Sequence, residues 1–491
     1  MKVLIAIAII LLIVAIIRIV YKVGPFEKHP KVDFLKAFTL QKESKEPLAG
    51  IRTEIFEVKY INKSGAIDTR KVKLFIPENR GEKLPLVYVP HYELAEDAEE
   101  LRVYTKRGWA VASTAEFKND YNKVLSDDDL VFNNAALMHL RNRADIDGQR
   151  IIIKGGSAGG YMALMLGGLQ MGNCAVIAES PITNVYFNFH QYFPKAEKIN
   201  GHALGKMAVI FLWYFLILGD KIEVALKKAM LSIPMPFLGM VSGMFTPIND
   251  CIAAEDYEKW EALSPIGLSK DYSSPFFLMH YTSDILVPID QISREYSYPN
   301  EGKTMPEGFS TKLDKDNPGI LDQSFIDLLP KGSTMAVKED VTNLKGPKAK
   351  IPYDLEYRYN FLIIDEGETQ AFASHDLGQN TVDLDIASYM AEMMDKTLKN
   401  TEILLPDKLL LLLERYQGKS MQLPAHEGID DTVYGSLAIY KKEIEDELKM
   451  WISNHSLEEM EDAMQKAMNG ISDETEQDEF KKAWKEIRNK L

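Results

Sequence analysis

One serine stands among four glycines in Gly155-Gly156-Ser157-Ala158-Gly159-Gly160. The three residues Ile151-Ile152-Ile153 before it are β-branched and read as a short buried strand. Tyr161-Met162-Ala163-Leu164-Met165-Leu166 after it reads as a helix. Strand, Gly-x-Ser-x-Gly turn and helix form the setting in which a serine hydroxyl is lifted clear of a sheet as a nucleophile. The neighbours must be small because strand and helix pass close to each other. A bare glycine-rich turn holding a serine by chance is the plainer alternative, and the flanking strand and helix argue against it.

A serine nucleophile needs a base in hydrogen-bond reach and a carboxylate that orients the base. In this strand-turn-helix setting the chain order is serine, then acid, then histidine. The run His280-Tyr281-Thr282-Ser283-Asp284-Ile285-Leu286-Val287-Pro288 puts Asp284 just past a buried strand. Loops at the carboxyl ends of parallel strands are where ligands meet an open sheet. His280 reads as a structural residue at the strand end. The second run, Asp365 to Asp376, follows the last strand and contains His375. His375 is the best base among the nine histidines, because six precede the acid loop or open it and two lie in the tail. Asp365 and Asp376 stay open as rival acids. The oxyanion needs two preorganised donors. One is expected from the backbone N–H of Ala158, and the other from the loop Pro90-His91-Tyr92-Glu93, where Tyr92 can offer its N–H or its phenol.

The elements that must hold these groups can be read in order. Arg52–Ile61 and Asp68–Pro77 alternate about Asn62-Lys63-Ser64-Gly65 and predict a hairpin. Leu84–Val89, Gly108–Ser113, Cys174–Glu179, Pro275–His280 and Tyr359–Ile364 predict buried strands. Asp127–Arg143 and Asp383–Leu398 predict helices. Antiparallel strands followed by alternating strand and helix predict an α/β fold, a mostly parallel sheet covered on both faces. Two insertions interrupt it. Residues 182–265 carry the apolar run Met207–Leu218 and read as a helical cap over the site. Residues 293–358 are polar and read as an irregular loop region. The α/β body spans residues 51–398, and residues 399–491 are expected to form a helical C-terminal extension with a capping box at Ser456-Leu457-Glu458-Glu459.

Val3–Ile17 is uninterrupted and apolar, about 22 Å of helix against a hydrocarbon core of about 30 Å. Arg18 can snorkel and lengthen the span. Residues 1–22 are therefore expected to be a retained membrane anchor, and 23–50 a linker. Lys2 precedes the run, whereas Arg18, Lys22, Lys28 and Lys31 follow it, which favours a cytoplasmic body. The net charge of -15 without a basic stripe argues against nucleic acid. The two cysteines, Cys174 and Cys251, cannot make a disulfide framework, and no Cys/His spacing implies a metal. No cofactor is implied, and oligomeric state is not legible.

On these motifs the chain resembles the α/β-hydrolase superfamily. The elbow and the His280–Pro288 stretch resemble the catalytic domain of prolyl-oligopeptidase-like proteins, with Tyr281 where their His-Gly-x-x-Asp-x-x-Val-Pro pattern has glycine. The Pro90-His91-Tyr92 loop and the large insertion resemble the X-prolyl dipeptidyl aminopeptidase and cocaine-esterase group, in which a tyrosine of this loop supplies an oxyanion donor. The resemblance covers about residues 52–398. It departs in two places: too few residues precede the sheet for a gating β-propeller, and the tail reads helical where the esterase group has a β-rich domain. The resemblance implies an α/β-hydrolase fold and a serine hydrolase with the triad Ser157, His375 and Asp284, acting on a small ester or a peptide. The apolar cap favours the ester. A catalytically silent binding or scaffold protein at the membrane is the alternative, motivated by the long tail and the wide Asp284-to-His375 spacing.

Overall fold

The computed structural model of the 491-residue chain describes residues 48–78, 83–115, 127–170, 173–188, 257–271, 274–281, 284, 287–292, 334–340, 350–355, 359–365, 386–395, 406–420, 422–452 and 455–491. The expected anchor at 1–22, most of the cap, and His375 with Asp376 lie outside these residues. Among the described residues, no helix is long and apolar enough to cross a membrane.

The first strands among the described residues are the hairpin of β1 (Ile51–Ile61) and β2 (Ile67–Pro77), antiparallel in the register Ile61↔Ile67. Its turn is built by Asn62, whose Oδ1 accepts the N–H groups of Ser64 at 3.0 Å and Ala66 at 3.1 Å. That side chain imitates a backbone turn, and Gly65 takes the left-handed conformation (φ 82) that the closure requires. Then come β3 (Leu84–Glu93), α1 (Glu99–Lys106), β4 (Ala110–Thr114), α2 (Asp127–Arg141), β5 (Ile146–Gly156), α3 (Ala158–Leu169) and β6 (Ala175–Glu179). Then follow α4 (Tyr257–Ala262), within the segment expected to form the cap, β7 (Phe276–Tyr281), β8 (Thr334–Asp340), β9 (Tyr359–Asp365) and α5 (Ile386–Asp395).

These strands form one nine-stranded sheet in the order β1-β2-β4-β3-β5-β6-β7-β9-β8. Only β1 and β2 run antiparallel to their neighbours, and every pairing from β4 to β8 is parallel. Parallel strands are covered on both faces, which is why Ile151, Ile152 and Ile153 are all apolar. Ile151 and Ile153 enter the core beneath α2 and α3, whereas Ile152 enters the opposite core beneath α1 and α5. Every residue of α3 is buried, as its apolar circumference demands.

One part of the polar insertion departs from the irregular loop expected of it. Residues 334–340 pair with β9 over their full length and become the outermost strand, β8. An edge strand needs burial on fewer sides, so Lys338, Glu339 and Asp340 are compatible with it by residue type.

The tail forms α6 (Pro406–Tyr416), α7 (Leu437–Ile452), α8 (Leu457–Asn469) and α9 (Glu474–Arg488), which share a core of their own. The box at Ser456 caps α8 reciprocally with Glu459. The tail packs on the body through Leu423 and Tyr440, and hydrogen bonds join the two at Tyr434 and Arg415. Tyr434 exchanges backbone hydrogen bonds with Ile61 (2.9 Å) and Lys59 (3.1 Å), which covers part of the open edge of β1. Arg415, fully buried, donates to the carbonyl of Leu169 at 2.6 Å, the last residue of α3. A cation at a helix C-terminus is favoured by the helix dipole. Glu443 and Glu447 lie 3.9 and 3.7 Å from the same guanidinium. Burial pushes the Glu443 carboxyl up to about 8, against the pull of Arg415.

Candidate active site

Ser157 occupies the step between β5 and α3 with φ 52 and ψ -119, a conformation that costs a non-glycine residue about 1–3 kcal/mol. The surroundings over-determine it. Its N–H donates to the carbonyl of Glu179 at 2.8 Å, and its own carbonyl accepts the N–H of Tyr161 at 2.9 Å. The glycines are steric necessities. A Cβ on Gly155 would lie 2.3 Å from the carbonyl oxygen of Gly159, and one on Gly160 would lie 3.2 Å from the carbonyl of Glu179. A Cβ on Gly159 would meet the ring of Tyr92 at 3.2 Å and the carbonyl of Pro90 at 3.3 Å.

Tyr92 leaves the end of β3, the neighbour of β5 in the sheet. Its phenol oxygen shares a hydrogen bond with the Ser157 side chain and takes one from the backbone N–H of Ala158. Burial pushes the phenol up to about 12, so it carries its proton at neutral pH. The α3 N-terminus begins at the same point, and the positive end of its dipole favours negative charge there. Ser157, Ala158 and Tyr92 therefore converge on one spot, with two donors beside one hydroxyl.

Asp284 lies beyond the carboxyl end of β7 and is buried. Its Oδ1 accepts the N–H of Val287 at 2.9 Å, and its N–H donates to the carbonyl of Tyr281 at 3.3 Å. His280 Nε2 lies 2.7 Å from the carbonyl of Val287, so its N–H ties the strand end to that loop. β9 runs parallel beside β7, with Tyr281 opposite Ile364, so both strands end on the same side of the sheet. The Asp365 side chain is outside the described residues, as are His375 and Asp376.

Several buried polar groups at this edge carry no sequence signature. Gln291 Oε1 accepts the N–H groups of Thr183 (2.9 Å) and Asn184 (2.7 Å), which staples the segment after β6 to the loop after β7. The Tyr161 phenol donates to the carbonyl of Leu263 at 2.9 Å and ties α3 to the residue that follows α4. Under the elbow, Lys154 lies 2.6 Å from Glu100 and 3.3 Å from Glu179. Burial raises the Glu179 carboxyl to about 6, and Lys154 opposes the shift. His91 is likewise buried and bonded to Asp129. Sequence-distant pairs of this kind look like surface charges until the fold brings them together. Among the described residues, no group of His, Cys, Asp and Glu could hold a metal ion.

Sheet and elbow are those of the α/β-hydrolase superfamily. Residues 111–201, from β4 through the elbow and past β6, match the model of the prolyl oligopeptidase family. No curated protein matches the chain. Among solved structures it is similar to Pyrococcus horikoshii acylaminoacyl peptidase, at 16% identity and TM-score 0.39, over 72% of this chain and 42% of that one. It is similar to prolyl oligopeptidase B from Galerina marginata, at 12% identity and TM-score 0.36, over 70% and 37%. It is also similar to puromycin hydrolase, at 15% identity and TM-score 0.30, over 48% and 32%. The chain spans less than half the length of each of these structures.

Proposed function

We propose that this chain is a serine hydrolase that cleaves a peptide or related amide bond through an acyl-enzyme. The observation that carries the reading is the convergence of the Tyr92 phenol and the Ala158 N–H on Ser157 at a strained elbow. In the proposed mechanism the Ser157 oxygen attacks the substrate carbonyl carbon and its proton passes to His375. The carbonyl electron pair moves onto the oxygen, which the Ala158 N–H and the Tyr92 phenol hold by hydrogen bonds. Collapse expels the amine, which takes the proton from His375. Water then hydrolyses the acyl-enzyme with His375 as base. Asp284 orients the imidazole and stabilises its charged form. The match of residues 111–201 to the prolyl oligopeptidase family supports an amide over an ester. Membrane attachment through residues 1–22, with the body on the cytoplasmic side, completes the proposal.

Side-by-side turnover of N-acylated peptides, aminoacyl-proline amides and simple acyl esters tests the substrate class. The proposal expects amide turnover that falls at least about 10³-fold in Ser157→Ala. Turnover of esters with none of amides would make the chain an esterase. Turnover of neither would remove the catalytic reading.

A further inference from the structure

A buried chain of polar groups runs from β2 through α2 to the residue preceding Tyr92. His91 sits at φ 72, the left-handed region that side-chain-bearing residues seldom adopt. Its N–H donates to Asn133 Oδ1 at 3.1 Å, and its Nδ1 lies 2.6 Å from Asp129 Oδ2. The other oxygen of Asp129 accepts from Arg70 at 3.0 Å and from Asn133 Nδ2 at 3.1 Å. Asn133 Oδ1 also accepts the phenol of Tyr88 at 2.8 Å. The Arg70 guanidinium rests 3.9 Å above the Phe132 ring. Arg70, His91, Asp129 and Asn133 are all 3% exposed or less.

We infer that Arg70, Asp129, Asn133 and His91 form a positioning unit that aims Tyr92 at the Ser157–Ala158 spot. The inference rests on the oxyanion role proposed for Tyr92. A buried ion pair is a poor way to gain stability, since apolar residues of the same volume do as well, so its use here calls for a geometric purpose. The geometry supplies one. The unit fixes both the backbone and the ring of His91, and the Tyr92 ring stands edge-on to that imidazole at 4.5 Å between centroids. The Tyr92 ring also packs against Gly159, which has no side chain to displace it. Tyr92 thereby packs against both His91 and Gly159, with its oxygen on Ser157 and Ala158. The contacts described lead from these four residues to Ser157 by way of Tyr92.

The test is a double-mutant cycle of Asp129→Asn and Tyr92→Phe, read as the rate at which an alkyl fluorophosphonate labels Ser157. That reaction builds negative charge on an oxygen without requiring a known substrate. Each single change is expected to slow labelling about tenfold or more. The double variant is expected to be no slower than the slower single variant within about threefold. Effects that multiply, or a folded Asp129→Asn protein that labels at the wild-type rate, would overturn the inference. If Asp129→Asn does not fold, His91→Asn and His91→Ala replace it. Asparagine tolerates the left-handed region and can still donate to Asp129, so it should keep most of the rate that alanine loses. Equal rates for those two would count against the unit. If wild-type protein does not label at all, the catalytic reading fails separately. The unit is then judged by crystal structures of the same variants: displacement of the Tyr92 phenol from the Ala158 N–H supports it, and an unmoved phenol overturns it.

Discussion

Replacing Gly159 by alanine adds one methyl group beside the reactive serine. The new Cβ would stand 3.2 and 3.4 Å from two Tyr92 ring carbons and 3.3 Å from the carbonyl of Pro90. Carbon atoms pack best at about 3.5–4.0 Å, so the ring must retreat by roughly 0.3–0.5 Å. Two stability effects oppose each other. Alanine in a helix is worth about 0.5–1 kcal/mol over glycine, and overpacking costs about 1–3 kcal/mol. The net cost is therefore about 1 kcal/mol, and the protein should fold. Activity is more sensitive, because a displacement of about 1 Å at a reacting centre can cost 10²-fold. A few tenths of an ångström at the Tyr92 oxygen should cost about five- to tenfold in kcat with a smaller effect on KM. Gly168→Ala is the control, since it lies in the same helix but meets Leu268 at 2.9 Å, away from Tyr92. It should lower the thermal midpoint and leave kcat near wild type. Steady-state kinetics and thermal unfolding on both variants decide the matter. Full kcat in Gly159→Ala, or an equal loss in Gly168→Ala, would refute the idea that Tyr92 is held against Gly159 for catalysis.

Two further outcomes follow from the tail. Arg415→Met removes the hydrogen bond to Leu169 and leaves Glu443 and Glu447 without their buried cation, so calorimetry should register a loss of about 3–5 kcal/mol. Retention of wild-type stability would show that the tail does not brace α3. The raised Glu443 carboxyl makes the folded state bind more protons than the unfolded state between about pH 4.5 and 8. Stability is therefore full below the unfolded value and falls as pH rises toward 8. Glu443→Gln should flatten that part of the profile in thermal melts across about pH 5–9, and an unchanged slope would contradict it.

Much of this architecture is legible in the sequence because burial on both faces leaves an unambiguous trace. Ile151-Ile152-Ile153 must be apolar throughout, and the glycines at 155, 159 and 160 mark contacts too close for a Cβ. The turn at Asn62–Gly65 and the box at Ser456 are legible because single side chains satisfy named backbone groups. Thr334–Asp340 is not legible as β8, since an edge strand rich in charge reads as loop. Glu99–Lys106 (α1) is not singled out either, being only eight residues long. Arg70, His91 and Asp129 are invisible for another reason. Their types are those of surface residues, and only the crossing of β2, β3 and α2 makes them partners. Of the candidate site residues, Ser157, Ala158 and Tyr92 come together, and Asp284 stands at the same sheet edge beyond β7. His375 is outside the described residues.

The central claim is that Ser157 is a nucleophile served by Tyr92 and Ala158. The most direct measurement is mass spectrometry of the intact, folded protein after exposure to a fluorophosphonate. The account predicts a single adduct that maps to the peptide holding Ser157 and is lost in Ser157→Ala. No adduct on folded wild-type protein, or an adduct that survives Ser157→Ala, would contradict it.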